Sequence, residues 1–415
     1  MELEKEYKKT EMGLIPDDWS IKEFADVMDG FTSGQTPYRG VPSYFKGNIP
    51  WITSGELNYN VITDTNEKIT EDGRKEANLK MIPKGTFLFA ITGLEAAGTR
   101  GSCAITGIEA TTNQSCMALY PKKGLLITPY LYHYYVKYGN ELALKYCQGT
   151  KQQSYTGSIA KKLPIIVPPT IGEQTAIATA LSDTDALINS LNMLIAKKRS
   201  IKQGAMEVLF TPQKNWSVKK LSELGKVYGG LSGKSKSDFE NGLFPYIPFM
   251  NIMNNPIIDL RSLDFVNIKK GEYQNKVLKG DLFFNGSSET PEEVGMCSVI
   301  TQDYPNLYLN SFCFGYRLNK DSNTHGLFLA YFFRSPRGRS LFFAMAQGAT
   351  RYNLSKANFN KIEIYLPSKS EQLTISETLL DLDMEIRNLE SKLSKYRQIK
   401  TGMMQTLLTG QIRLV

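Results

Sequence analysis

The sequence predicts a mixed α/β fold with two similar globular domains, each followed by one long helix. Three observations carry this prediction. A 39-residue segment occurs twice in the chain, and the apolar positions of both copies step by alternating four and three residues. A third observation is a set of short runs rich in β-branched and aromatic residues ahead of each long helix, which is typical of strands.

The repeat defines the organisation of the chain. Residues 173–211 and 371–409 align without a gap and are identical at 16 of 39 positions, with every pair 198 residues apart. Weaker similarity precedes each helix, as between WSIKEF from Trp19 and WSVKKL from Trp216. The repeated unit is therefore a globular domain plus a helix, copied once. The predicted segments are a first globular domain at 1–169, its helix at 170–211, a second domain at 212–367, and the second helix with its tail at 368–415.

Both long helices have the same start signal. Thr170 is followed three residues later by Glu173, and Ser368 by Glu371, which is the spacing of a capping box. The prolines of VPP and LPS just before these positions end the preceding strands, because proline cannot continue a ladder. We expect the hydroxyl and the carboxylate of each pair to satisfy backbone donors at the helix start.

The apolar seam of the helices predicts a coiled coil. In the second helix the seam consists of Ile375, Leu379, Leu382, Ile386, Leu389, Leu393 and Tyr396. The first helix follows the same steps until Lys198 and Lys202 replace apolar residues. A helix of 38 or so residues is roughly 57 Å long, too long for one domain to cover.

Each seam therefore needs a partner, and the other copy is the nearest one. The second domain starts at Trp216, directly after the first helix, so the second helix must run back along the first. We predict an antiparallel pair with an approximate two-fold relation between the copies. The rival arrangement is two separate helices, each bound only to its own domain.

Within the globular domains the predicted strands are TFLFAI, CMALY and LPIIVP in the first and DLFFN, FCFGYRL and IEIYLP in the second. One helix per domain is expected after Pro129 and after Gly326. The aromatic stripes of these two helices are interpreted as core rather than as a base-stacking surface. His133 and His325 are interpreted as structural residues.

Composition narrows the class of protein. No apolar run approaches the 18 residues of a membrane helix, and the charged N-terminus lacks a signal core, so we expect a cytoplasmic protein with no membrane partner. Five cysteines without a C-x-x-C pair favour a reducing compartment and no structural zinc. Cys103 with Cys297, and Cys116 with Cys313, are expected to be buried in equivalent strands. A net charge of +8 favours a polyanionic partner.

Catalytic motifs are missing from the sequence. GGLSGKS at 229–235 fails as a phosphate loop because Tyr228 stands where glycine is required, so we interpret it as a flexible basic loop. Asp183 and Asp185, like Asp381 and Asp383, lie two residues apart on a helix and face different sides, which argues against a metal pair. The sequence has only two histidines, so it offers few side chains that could act as a general acid or base. We predict a non-catalytic chain that binds no cofactor and no metal.

Basic loops rich in hydrogen-bonding side chains carry the prediction of DNA binding. They recur at equivalent positions with different sequences, at 32–37, 91–102 and 148–158, and at 231–237, 284–296 and 347–357. Arg, Lys, Asn and Gln pair with base edges, while Lys, Ser and Thr serve phosphates. The candidates are Ser33, Gln35, Thr92, Arg100, Lys151, Gln152, Gln153, Tyr155, Lys234, Lys236, Ser287, Arg351, Tyr352 and Asn353.

Two alternatives stay open at this point. Any single candidate residue is equally well explained as a solvated loop residue. The heptads would also suit a coiled-coil scaffold that bridges two proteins without touching DNA.

The whole chain resembles the specificity subunit of type I restriction-modification systems. The motifs that carry this resemblance are GLIPDDW at 13–19, KGTFLFAITG at 84–93, KGDLFFNGSS at 279–288, the helix starts at 173–174 and 371–372, and KTGMMQTLLTGQIR at 400–413. The second domain departs from the pattern, because NWSVKK lacks a preceding G-x-I-P.

The resemblance implies two target-recognition domains and no catalytic activity in this chain. It implies double-stranded DNA as a partner, with an asymmetric target in two halves whose gap is set by the helices. Two methyltransferase (modification) subunits would bind around the helices, and motor-endonuclease (restriction) subunits would join them. The S-adenosylmethionine, Mg and ATP of the reactions would be held by those partner subunits.

Overall fold

The computed structural model describes residues 6–149, 151, 153–240, 242–346, 348 and 351–414. The chain divides into two compact units, Met1–Leu191 with Lys392–Val415, and Asn192–Ser391. Each unit contains one globular domain and a part of each long helix. The mixed α/β prediction is confirmed. Within the described ranges, none of the helices has the length and apolar character that a membrane crossing requires.

The first domain is built from strands and short helices and is followed by the first long helix. Its strands are β1 (Tyr7–Thr10), β2 (Gly13–Pro16), β3 (Ser20–Glu23), β4 (Met28–Ser33), β5 (Ile49–Ile52), β6 (Asn60–Ile62), β7 (Glu67–Ile69), β8 (Phe87–Ala90), β9 (Cys103–Thr106), β10 (Thr111–Thr112), β11 (Cys116–Pro121) and β12 (Pro164–Val167). Its helices are α1 (Phe24–Val27), α2 (Glu71–Glu76), α3 (Thr128–Tyr146) and α4 (Gly157–Lys162), and the long helix is α5 (Ile171–Leu209).

The second domain has the corresponding elements. Its strands are β13 (Ser217–Lys220), β14 (Gly225–Gly229), β15 (Phe244–Ile247), β16 (Asp264–Val266), β17 (Leu282–Asn285), β18 (Ser287–Ser288), β19 (Cys297–Val299), β20 (Tyr308–Leu309), β21 (Cys313–Leu318), β22 (Tyr352–Asn353) and β23 (Glu363–Leu366). Its helices are α6 (Leu221–Leu224), α7 (Ser237–Glu240), α8 (Phe249–Asn254), α9 (Gly326–Arg334), α10 (Pro336–Met345) and α11 (Lys356–Lys361), followed by the long helix α12 (Lys369–Leu407).

The sheets repeat with the sequence. The central sheet runs β4-β11-β8-β9-β6 in the first domain and β14-β21-β17-β19 in the second, with antiparallel pairing among the four strands that correspond. A smaller sheet has the order β10-β5-β7 in one domain and β20-β15-β16 in the other. A third pair, β12 with β3 and β23 with β13, joins the last strand of each domain to its first segment.

The buried aromatic residues confirm the predicted core. Tyr130 and Tyr135 of α3 and Phe328 and Phe333 of α9 are fully buried against the central sheets. The helix after Gly326 is shorter than its counterpart, because Pro336 cannot continue α9 and instead begins α10.

The four paired cysteines lie in equivalent strands, as predicted. Cys103 and Cys297 are on β9 and β19, while Cys116 and Cys313 are on β11 and β21, and all four are buried. Burial raises the pKa of the Cys313 thiol to about 12, so this group stays protonated and unreactive at neutral pH.

In the first unit, the first half of α5 lies beside the last turns of α12. Asp185 accepts an ion-pair contact from Lys400 at 2.5 Å, and the Thr184 hydroxyl is 3.5 Å from the Met403 sulfur. Beyond the helix, Leu408 is completely buried in the core of the first domain. The end of the second copy therefore completes the core of the first domain.

In the second unit, the last half of α5 lies beside the first half of α12. Lys202 contacts Asp383 at 2.5 Å and Lys198 contacts Glu385 at 2.7 Å, which explains the two lysines in the predicted seam. The Asp185–Lys400 and Asp383–Lys202 pairs are equivalent, because Asp185 corresponds to Asp383 and Lys202 to Lys400 in the sequence repeat. The predicted antiparallel pairing is confirmed, and the rival arrangement of separate helices is wrong.

The start of each long helix differs in part from the capping-box prediction. The backbone N–H of Glu173 donates to the Thr170 hydroxyl at 3.1 Å, and Glu371 does the same to Ser368 at 3.3 Å. The two carboxylates do not return to the cap. Glu173 pairs with the Arg413 guanidinium, whereas Glu371 accepts from the indole N–H of Trp216. The hydroxyl half of the prediction is correct and the carboxylate half is wrong.

A buried glutamine fixes each long helix to its domain. Gln174 accepts from the backbone N–H of Ile127 at 3.2 Å and donates to the carbonyl of Leu125 at 2.9 Å. Gln372 accepts from the backbone N–H of His325 at 2.8 Å, and both glutamines are 1% exposed. These amides satisfy backbone groups that precede α3 and α9, so the direction of each helix is set by its own domain.

Candidate nucleic-acid interface

Four loops of the first domain meet at one end of its central sheet, and we name them loop cluster 1. The cluster comprises residues 32–37, 91–102, 113–115 and 148–158, as far as the structure describes them. Backbone bonds join the loops, among them Gln35 N–H to the Thr112 carbonyl at 3.1 Å, Ile91 N–H to the Ser115 carbonyl at 2.9 Å, and Tyr155 N–H to the Ile91 carbonyl at 2.8 Å.

The second domain has an equivalent set of loops, named loop cluster 2. It comprises residues 231–237, 284–296, 310–312 and 347–357, again as far as they are described. Its backbone bonds run from Leu231 N–H to Leu309 at 2.7 Å, from Gly286 N–H to Phe312 at 3.1 Å, and from Leu354 N–H to Gly286 at 2.9 Å. Each bond corresponds to one in loop cluster 1, so the two copies share one backbone frame.

The order of the strands explains why these loops converge. β4 and β8 both end beside the start of β11, because β11 is antiparallel to each of them. Glycine allows the closest approach. A Cβ added at Gly34 would lie 1.8 Å from the Thr112 carbonyl oxygen, and one at Gly230 would lie 1.9 Å from that of Asn310. A glycine thus makes a close backbone approach at the same place in both domains, although the carbonyl that it meets in the second domain lies one residue further along the chain.

The predicted residues of loop cluster 1 fall into two groups. Ser33, Gln35 and Lys151 are exposed and can reach a ligand, whereas Thr92 is half-buried and donates to the Ser115 hydroxyl at 2.7 Å. Gln152 lies outside the described residues.

Three other predicted residues of loop cluster 1 support the loop itself. Arg100 donates to the carbonyls of Leu94 at 2.8 Å and Glu95 at 2.9 Å, which folds the 94–100 turn onto its side chain. The backbone N–H of Gln153 donates to the Glu95 carboxylate at 2.9 Å. Tyr155 is 3% exposed in the core of the domain, so the prediction that it contacts DNA is corrected to a structural role.

In loop cluster 2, a short ladder presents the predicted residues. Ser287 pairs with Asn353 and Ser288 with Tyr352 in the β18–β22 ribbon. Arg351 and Asn353 are exposed beside this ribbon, and Lys236 is exposed in the first loop. These three residues are accessible to a ligand, and their contact with DNA stays a prediction.

Lys234 requires a correction. Its side chain is 4% exposed, and its ammonium donates to the Glu272 carboxylate at 2.6 Å and to the Asn267 carbonyl at 2.7 Å. The bond from Lys234 lowers the pKa of Glu272 to about 2. The GGLSGKS segment is therefore not a free basic loop, because its lysine is held in a structural ion pair.

Sequence reasoning missed the 113–115 and 310–312 turns as functional loops. Gln114 and Phe312 are exposed there, one in each cluster, although the similarity of TTNQS to LYLNS had marked these segments only as part of the repeat. It also missed Lys161 on α4, which follows loop cluster 1, and gave no role to Lys356, which lies in loop cluster 2 at the start of α11. Lys161 lies 5.9 Å from the centre of the Phe31 ring at the end of β4, and the Lys356 ammonium lies next to Gly229 at the end of β14.

The charges of the two clusters nearly balance. Loop cluster 1 contains Arg100 and Lys151 against Glu95, a net charge of 2 − 1 = +1. Loop cluster 2 has four basic residues against three acidic ones, a net charge of 4 − 3 = +1. The prediction of basic loops is thus corrected to one of polar, hydrogen-bonding loops. Among the residues described, no group of His, Cys, Asp and Glu could hold a metal ion.

Comparison with known proteins identifies relatives. The family described as "Type I restriction modification DNA specificity domain" matches residues 16–200 and 213–395. The type I restriction enzyme MjaIX specificity subunit of Methanocaldococcus jannaschii is 30% identical over 70% of this chain and 71% of its own length. The MjaVIII specificity subunit of the same organism is 24% identical over 99% of this chain and 97% of its length. The crystal structure of a type I restriction-modification S subunit from M. genitalium superposes with a TM-score of 0.59 at 17% identity, covering 94% of this chain and 96% of that chain.

Proposed function

The chain belongs to the family of type I restriction-modification DNA specificity subunits, which recognise DNA targets and are not catalytic, and we propose that each of its two domains reads one half of a bipartite target. The observation that supports this proposal most is the shared backbone frame of loop clusters 1 and 2, which carries different side chains in the two copies. Because the side chains differ, the two half-sites differ and the target is asymmetric.

The exposed candidates divide by their chemistry. Gln35 and Asn353 have planar amides that donate and accept, and Arg351 has a planar guanidinium that donates, and all three can pair with base edges in the major groove. Lys161 beside loop cluster 1 and Lys356 at the end of loop cluster 2 have the point charges that serve backbone phosphates. Base readout by the loops, with phosphate contacts from the flanking helices, accounts for clusters that are polar but nearly neutral.

The proposal is tested on the complex with its methyltransferase. Mapping of methylated bases in cells with and without this gene gives the target, and footprinting of the complex should then show two protected half-sites. Arg351→Ala with Asn353→Ala should change or abolish one half-site and leave the other intact. Arg337→Ala, an exposed arginine of α10 in the same domain, is the control. One continuous protected site would contradict the proposal.

We further propose that the paired helices set the gap between the half-sites. α5 and α12 are continuous helices of 39 residues, about 58 Å each at 1.5 Å per residue. A four-residue insertion in both helices at matched positions should change the preferred spacer. If the complex still bound DNA with an unchanged spacer, this part of the proposal would be wrong.

Methyltransferase subunits are proposed to bind the helices. Leu194, Ile201 and Val208 of α5 are 39%, 45% and 74% exposed and stand seven residues apart, so they form one apolar stripe outside the seam. Ile201→Glu with Val208→Glu should abolish co-purification of a methyltransferase subunit. Ala196→Glu, exposed on another face of α5, should leave co-purification unchanged. Equal loss in both variants would contradict this assignment.

The remaining chemistry is assigned to partners. We propose that S-adenosylmethionine, Mg and ATP bind the modification and restriction subunits, and that the isolated chain in the cytoplasm binds none of them. Calorimetry with the isolated chain checks this directly. Salt dependence distinguishes the proposal from a scaffold that does not touch DNA, because phosphate contacts make log affinity fall linearly with log salt.

A further inference from the structure

One exposed phenylalanine distinguishes the two loop clusters. Phe312 is 64% exposed on the 310–312 turn of loop cluster 2. The equivalent residue of loop cluster 1 is Ser115, since the backbone carbonyls of both accept the matching bond, from Gly286 and from Ile91. The Ser115 hydroxyl accepts a hydrogen bond from the Thr92 hydroxyl at 2.7 Å. This bond joins the 113–115 turn to the 91–102 loop at the surface.

The backbone of Phe312 is fixed although its side chain is exposed. Its N–H donates to the Asn310 side chain at 2.9 Å and its carbonyl accepts from Gly286 at 3.1 Å. Asn310 is itself buried and donates to the Ile247 carbonyl at 3.0 Å. The turn thus holds a large apolar ring in water at a defined place, where neither the core nor the turn needs it.

The ring forms one wall of a cavity of about 400 Å³. Phe249 lies on the same cavity, together with Ser287, Ser288 and Arg351 of the β18–β22 region and the carboxylates of Glu289 and Glu293. In loop cluster 1 the corresponding space is spanned by the Thr92–Ser115 hydrogen bond. Loop cluster 2 therefore offers an apolar recess with hydrogen-bonding groups around it, and loop cluster 1 offers a polar surface.

We propose that Phe312 is a specificity-determining residue that reads a thymine in the half-site of the second domain through the 5-methyl group of the base. This inference depends on the proposed function of loop cluster 2 as a DNA-reading surface. Thymine is the only base whose major-groove edge carries an apolar group, and contact with phenylalanine is one way in which proteins recognise it. The methyl lies next to the O4 acceptor, which the Ser287 hydroxyl and the Arg351 guanidinium of the cavity are suited to contact. The Ser288 hydroxyl is not available for this, because it donates to the Glu293 carboxylate at 2.8 Å.

Replacing thymine by deoxyuridine removes only the methyl group and tests the inference directly. After the target has been mapped, each thymine of the second half-site is replaced in turn in a duplex, and the affinity of the assembled complex is measured. One replacement should weaken binding by the wild-type complex about fourfold, since a buried methyl group contributes ~0.8 kcal/mol and 1.4 kcal/mol is tenfold. Phe312→Ala should bind the thymine and deoxyuridine duplexes equally.

Two controls keep the outcome unambiguous. Phe265→Ala, which removes a half-exposed ring of β16 outside the cavity, should keep the fourfold difference. Phe312→Leu retains an apolar side chain and should keep part of it, which guards against a general effect of alanine on the turn. Deoxyuridine in the first half-site should have the same effect on wild-type and Phe312→Ala complexes.

Three results would overturn the inference: a second half-site without thymine, wild-type binding that is insensitive to every replacement, or full sensitivity retained by Phe312→Ala. In each of these cases a complex that still protects two half-sites leaves the proposed function intact. Loss of sequence-specific binding by the wild-type complex itself would instead refute the proposed function.

Discussion

The first and second domains differ most where their backbones agree best. Both loop clusters are joined by the same three backbone hydrogen bonds, and both have a glycine that allows the 32–37 or 231–237 loop to approach its neighbour. On this common frame, one copy has a hydroxyl-to-hydroxyl contact at Ser115 and the other an exposed ring at Phe312. The frame is set by strand order, so exposed side chains that the loops do not use for support, such as that of Phe312, are free to differ without a cost to the fold.

The largest expected effect concerns the buried glutamines that the two copies share. Gln174→Leu and Gln372→Leu each leave buried backbone groups without a partner, so each should lower the free energy of unfolding of its own unit by about 3 kcal/mol. Urea denaturation followed by hydrogen exchange assigns the loss to a unit. Gln398→Leu, at an exposed position of α12, should change the stability little. An effect confined to one unit would show that the two anchors are not equivalent.

A pH effect should be larger in the first domain than in the second, where the half-buried His325 also has its pKa lowered by burial. His133 is buried against Ser182 of α5, and burial lowers its pKa from 6.5 to about 4. Below pH 6.5 the His133 imidazole is therefore protonated in the unfolded chain but stays neutral in the folded domain. The free energy of unfolding consequently falls as the pH falls from 6.5 toward 4. Between pH 7 and pH 5 the loss should be about 2 kcal/mol in the first unit. His133→Gln should remove this loss, and an identical pH profile for the variant would contradict the assignment.

The equivalent ion pairs of the helices should not be equally important. Asp383 accepts from Lys202 at 2.5 Å and also from the Tyr331 hydroxyl at 2.8 Å, while Asp185 is paired with Lys400. Asp383→Asn should therefore destabilise its unit by about 1 kcal/mol more than Asp185→Asn destabilises the other. Thermal unfolding of both variants at low and high salt measures the difference. Equal losses would mean that the tyrosine bond adds nothing.

The smallest expected effect concerns phosphate contacts. Lys161→Gln and Lys356→Gln should each reduce the slope of log affinity against log salt by about 1, without changing the sequence recognised. Lys392→Gln, an exposed lysine of α12, is the matched control. A change in target sequence instead of slope would show that these lysines contact bases.

Much of the fold was predictable because its signals are local or repeated. The seam positions such as Leu379 and Ile386, the strands, and the buried aromatic stripes follow from periodicity within a few residues. The capping boxes were half right, because the partner of Glu173 is Arg413, which lies 240 residues further along the chain. The Glu173–Arg413 contact could not be predicted because the two residues are far apart in sequence, not because the interaction is weak.

The candidate site was predicted at the level of loops rather than residues. The loops do meet, but Lys234 is neutralised by Glu272 and Tyr155 points into the core. Neither fact follows from composition. The sequence of a polar loop does not distinguish a basic or aromatic residue that faces solvent from one that supports the turn. Phe312 was overlooked for the opposite reason, since an apolar residue next to a strand is usually core.

The ends of the long helices have a consequence for how such a protein arises. Leu407 and Leu408 fill the core of the first domain, and Met206 and Phe210 occupy the matching place in the second. The core of each domain is thus completed by apolar residues from the C-terminal end of the other copy's long helix. A gene of half this length would encode a protomer whose core lacks these apolar residues, and the helix end of an identical protomer would supply them in a reciprocal dimer. Fusion of two such genes would preserve these contacts. The two recognition surfaces could then diverge in sequence.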